Sequence, residues 1–94
     1  MLFRKALGYV IYEYRRTNNL TLRQFTILRE IKMSYSYLWE LEQGRKEASS
    51  ETLNELSKAM KITTADLVMK VAIEMSGGVP DFIPEKLDEQ LVNL

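Results

Sequence analysis

Apolar residues recur along this chain at intervals of three and four, and no Asn-Gly or Asp-Gly hairpin turn occurs. That pattern predicts helices and no strands. A first stripe runs through Phe3, Leu7, Val10, Ile11 and Tyr14, with Arg4, Lys5, Tyr9 and Arg16 outside it. TNNL at 17–20 breaks this helix. Thr21 then caps a second one, Gln24 completes a capping box, and Phe25, Leu28 and Ile31 form its buried side. Ser34 can cap a third helix, which Gly44 closes in the left-handed conformation that glycine adopts cheaply. On it Leu38 and Leu41 face inward with Glu42 beside them, while Ser36, Trp39, Glu40 and Gln43 form the outer arc.

The polar loop RKEASSE ends in serines that can cap a fourth helix, with Leu53, Leu56 and Met60 on one side. Thr63 and Asp66 open a fifth, which reaches about Met75 before SGGVP stops it. Leu67, Val68, Val71 and Met75 make one stripe on this helix, and Met69 with Ile73 make a second nearly opposite. Beyond it Pro84 and Glu85 can start a short helix carrying Leu87, Leu91 and Leu94 on one side. The expected fold is all-α, with five helices over residues 1–76 and a helical tail over 77–94.

Ninety-four residues at 46% apolar content suffice for one small core and argue against a disordered chain. With no cysteine and no histidine, disulfides, zinc sites of the usual kind and imidazole catalysis are excluded. Glu40 and Glu42 are a carboxylate pair, but two residues apart on a helix they point in different directions. No nucleophile–base set or phosphate loop accompanies them, so the chain is not expected to be an enzyme. No metal, cofactor or small-molecule ligand is implied. The apolar runs are too short for a membrane span and MLFRKAL lacks a signal-peptide core, so a cytoplasmic protein is expected.

Net charge is zero, but its distribution is uneven. Residues 1–50 carry nine Lys and Arg against five Glu, a balance of +4, and residues 51–94 carry the compensating −4. A polyanion would meet the first half.

Two short helices joined by about three residues, then Glu42-Gln43-Gly44, lie between a first helix and two later ones. This order resembles the lambda-repressor-like helix-turn-helix family, of Cro/repressor type, over about residues 7–72. LGYVIYEYRR is similar to its first helix, TLRQF to the start of its second, SYSYLWELEQG to its recognition helix and ETLNELSKAMKITTADL to its closing pair. EQGRKEASSETL looks especially like the actinobacterial regulators of Clp protease genes.

The resemblance implies a sequence-specific transcription regulator that binds double-stranded DNA, and a homodimer of it would match a palindromic operator. The third helix would lie in the major groove, with Ser34, Tyr35, Ser36, Trp39 and Glu40 nearest the DNA. Arg45, Lys46 and Arg23 would meet phosphates, since phosphate contacts supply most of the attraction. The family also pairs the positions of Arg15 and Glu42 in a largely buried ion pair.

Three positions depart from the family pattern. The span from Thr21 to Glu42 is two residues longer, the frequent turn glycine is replaced near Lys32, and Leu22 stands where many relatives carry a phosphate-binding Gln. A different reading stays open: an interaction module of the same fold, with Tyr35, Tyr37 and Trp39 contacting a protein. Finally, the second stripe of the fifth helix suggests self-association through Met69 and Ile73, with Leu87 and Leu91 of the tail helping.

Overall fold

In the computed structural model, residues Leu2 to Gly77 are described; the predicted tail helix, with Leu87 and Leu91, lies outside them. Five helices follow in order: α1 (Phe3–Thr17), α2 (Leu22–Leu28), α3 (Tyr35–Glu42), α4 (Ser50–Ala59) and α5 (Thr64–Gly77). No strand occurs among the described residues. The fold is all-α.

Side-chain caps set most of the helix starts. Thr21 Oγ1 accepts from the Gln24 amide at 3.1 Å while Gln24 Oε1 accepts from the Thr21 amide at 2.9 Å, so two otherwise orphaned donors are satisfied. Ser34 Oγ accepts from the Tyr37 amide, Ser49 Oγ from the Thr52 amide and Thr63 Oγ1 from the Asp66 amide. Each such cap stabilises its helix by about 1 kcal/mol.

The core gathers Ala6, Leu7, Val10 and Ile11 of α1, Leu22 and Phe25 of α2, Leu38 and Leu41 of α3, Leu56 and Ala59 of α4, and Leu67 and Val71 of α5. Helix α1 is the central post, packing on α3 along one side and α5 along another. Gly8 makes the first of these contacts possible. A Cβ at this position would sit 2.3 Å from the Glu42 carbonyl oxygen, so only a bare backbone lets α3 come this close.

Five expectations need correction. Helix α2 ends at Leu28, and six residues rather than about three separate it from α3. The chain leaves the helical path because Glu30 adopts a left-handed φ of +52°. Leu28 is consequently not part of the buried side but 62% exposed. Ile31 is buried, yet from the turn, where its amide bonds to the Thr26 carbonyl. Tyr9 packs against the margin of the core instead of lying outside it, and Val68 faces outward.

Candidate nucleic-acid interface

Helix α3 has two sharply different sides. Leu38, Leu41 and Glu42 are buried, whereas Tyr35 and Ser36 are exposed and Trp39, Glu40 and Gln43 half-buried. The spacing i, i+1, i+4, i+5, i+8 puts these five on one face.

The buried side is fastened by charge as well as by packing. Arg15 Nε donates to Glu42 Oε2 at 2.8 Å and Arg15 Nη2 to Glu42 Oε1 at 2.5 Å, a two-pronged pair with both side chains sealed from solvent. Arg15 Nη1 also donates to the Leu20 carbonyl, joining the end of α1 and the α1–α2 turn to α3. Such a pair need not add net stability, but it fixes the seat of the helix, because either partner alone would be a stranded charge.

The loop after α3 is held from two sides. Gly44 reverses the chain at φ +73°, with its Cα against Lys5 of α1. Arg4 Nε donates to the Gly44 carbonyl at 3.1 Å, and Arg4 Nη1 to Glu47 Oε1 at 2.9 Å. The Tyr37 hydroxyl lies 3.4 Å from the Glu47 carbonyl and 3.4 Å from Thr52 Oγ1. On the other side of α3, Glu55 of α4 accepts from the Lys32 amide at 3.2 Å, tying the α2–α3 turn to the body.

The outer face carries cations that α3 itself lacks. The Arg23 guanidinium, from the first turn of α2, lies 4.9 Å from the centre of the Tyr35 ring. The Arg45 guanidinium, just past the end of α3, lies 4.9 Å from the centre of the Trp39 ring. Lys46 is exposed beside it. Of the predicted contact residues, the structure thus brings Arg23 to Tyr35 and Arg45 to Trp39, and leaves Ser36 open on the same face. Ser34 caps α3 with its side-chain oxygen, and its edge of the helix is also exposed. Leu22, at the position of a phosphate-binding residue in the resemblance, is buried in the core.

Sequence reasoning missed Arg4 and Gly8. Gly8 had a readable signal, a helix-breaking residue kept inside an apolar stripe; Arg4 had none, since its partners are forty or more positions away.

A concavity of about 400 Å³ lies between α1 and α5 and is lined by Tyr9, Glu13, Tyr14, Lys70 and Glu74 among others. Tyr9 donates to Glu13 Oε1 at 2.7 Å, which together with burial and the nearby carboxylates pushes the phenol up to about 12. None of the outward residues of α3 lines it. Among the described residues no group of three or more His, Cys, Asp or Glu could hold a metal ion, and no helix is long and apolar enough to cross a membrane.

Solved structures of a known regulator resemble the chain. A crystal structure of the clp gene regulator ClgR from Corynebacterium glutamicum is 32% identical, covers 99% of this chain and 89% of its own, and superposes with a TM-score of 0.69. A second crystal structure of ClgR from C. glutamicum is 37% identical over 80% of this chain and 94% of its own, with a TM-score of 0.66. No protein-family model and no curated protein sequence matches.

Proposed function

The chain belongs to the ClgR family of clp gene regulators, helix-turn-helix transcription regulators that bind DNA, and from that premise we propose that it acts as a homodimer on a palindromic operator in the cytoplasm. In this reading α3 enters the major groove, with Ser34, Ser36 and Glu40 facing the bases and the first phosphate, and Arg23, Arg45 and Lys46 meeting the backbone. The observation that carries the proposal is the two-sided build of α3: an inner side locked by Arg15–Glu42 and an outer side bordered by guanidinium groups at both ends.

The second copy would dock on the outer face of α5. Val68, Met69 and Ile73 are exposed there beside Ala65 and Ala72, an apolar strip on a helix whose other side fills the core. Two-fold symmetry would set half-sites one DNA turn, about 34 Å, apart. The tail residues Leu87 and Leu91 are candidates for the same interface.

Selection of bound duplexes from a random pool at moderate salt tests this. A palindromic consensus is expected, and the clp genes for which the C. glutamicum regulators are named are the first natural sequences to compare. A folded, dimeric protein that enriches no motif would overturn the proposal. The protein-docking alternative, favoured by the zero net charge and by the absence of Lys and Arg within α3, separates on salt. DNA affinity carried by several phosphate contacts falls steeply between low and moderate salt, and a Tyr–Trp protein contact does not.

A further inference from the structure

The outward aromatics of α3 have a use that base contact does not capture. Tyr35 and Trp39 are four residues apart, hence on one face of the helix. Each ring is covered by a guanidinium from another element, at the same 4.9 Å separation. Arg23 comes from α2 and reaches the amino-terminal end of α3; Arg45 comes from the following loop and folds back on its carboxy-terminal half. An arginine lying on a ring loses rotamer freedom but keeps its charge and its in-plane N–H donors, which point away from the ring edge.

We propose that Tyr35 and Trp39 are positioning residues: platforms that hold Arg23 and Arg45 in advance at the two ends of α3, so that these side chains meet DNA phosphates already ordered. The proposal rests on the DNA-binding reading and assigns the aromatics a different task within it. It also explains how a recognition helix devoid of Lys and Arg serves a polyanion. The cations are borrowed from flanking segments, and the helix contributes the surfaces that aim them.

The geometry separates this role from base reading. A side chain whose ring face is covered by its own chain's guanidinium has that face withdrawn from the groove. Its edge and its opposite face remain for a neighbour. Tyr35 is exposed at 39%, whereas Trp39 is half-buried against the core, as a support would be.

Two double-mutant cycles decide it, Tyr35→Leu with Arg23→Ala and Trp39→Leu with Arg45→Ala, with affinities measured on a selected and an unrelated duplex at several salt concentrations. Circular dichroism first establishes that each variant is folded, and Tyr35→Phe and Trp39→Phe supply conservative rings should a leucine variant fail that check. Wild-type binding is the control for the underlying function. If wild type binds no duplex, both readings fall together.

If it binds, each leucine variant should weaken binding about two- to fivefold on both duplexes alike, the loss expected for one exposed cation–π contact. The phenylalanine variants should retain most of the affinity. Each leucine substitution should have no further effect once its arginine is alanine. Arg45→Lys, which keeps the charge but stacks poorly, should reproduce the loss seen in Trp39→Leu. Additive losses in either cycle, or a changed base preference in Tyr35→Leu or Trp39→Leu, would overturn the proposal while leaving DNA binding itself intact.

Discussion

Helices α3 and α5 both present apolar side chains to the outside, but in different company. On α3 the outward rings, Tyr35 exposed and Trp39 half-buried, lie under arginines, and the neighbouring positions are Ser36 and Glu40. On α5, Met69 and Ile73 stand 62% and 60% exposed, with Ala65, Val68 and Ala72 on the same side. The first surface combines charge with area and suits a hydrated polyanion. The second offers area alone, and its burial would be driven by the release of water from apolar groups. In a chain of zero net charge, the proposed function would divide recognition of nucleic acid and of a second copy between these two surfaces.

That division can be broken from either side. The largest effect should come from Glu42→Ala, which strands the Arg15 guanidinium beneath α3. A loss of about 3–5 kcal/mol in urea-induced unfolding is expected, against a near-neutral result if the pair were solvated.

Ile73→Asp attacks the other surface. It should leave unfolding stability within about 0.5 kcal/mol, as for most exposed positions. It should weaken self-association about tenfold or more, because a carboxylate would enter an apolar contact. Sedimentation at a series of concentrations measures this, and an unchanged dimer would place the interface elsewhere.

Glu30→Gly sharpens the comparison by easing the turn that leads into α3. A left-handed φ at a residue with a Cβ is strained, and after allowing for the extra freedom of glycine in the unfolded chain a gain of about 0.5–1 kcal/mol is expected.

The smallest effect concerns the cleft beside α5. The Tyr9 phenol titrates at about 12 when folded and at the ordinary 10.0 when unfolded, so the folded state favours the protonated form. Its contribution is complete below pH 10 and disappears as pH rises toward 12. The stability difference between wild type and Tyr9→Phe should shrink across that window.

Much of this fold could be read before any coordinates. Thr21, Ser34, Ser49 and Thr63 are local caps, and Gly44 is a local stop; each acts within four residues, where sequence is most informative. The inward residues of α3 and α4 follow from helical period alone. What period could not reveal is where a helix gives way. Leu28 and Ile31 fit one stripe, but the backbone turns left-handed at Glu30, so Ile31 is buried from the turn and Leu28 faces out. Val68 lies between the two sides of α5, and neighbouring helices, rather than its own, decide which it joins.

The candidate interface was legible in its residue types and not in its pairings. Ser36, Glu40, Arg23 and Arg45 were visible as chemistry on or near one helix. That Arg23 would reach Tyr35 across the α2–α3 turn, and Arg45 fold back over Trp39, depends on tertiary placement.

The Gly8 contact has a mechanical consequence. Where main chain rests on main chain, no pliable side chain intervenes to absorb a displacement, so α1 and α3 behave as a single lever. Helix α1 also leans on α5. In a dimer joined through α5, the distance between the two reading helices would therefore be set by this backbone contact together with the side-chain packing of α1 on α5. An operator with one base pair added or removed at its centre would have to twist to fit, because the protein has little give along that path.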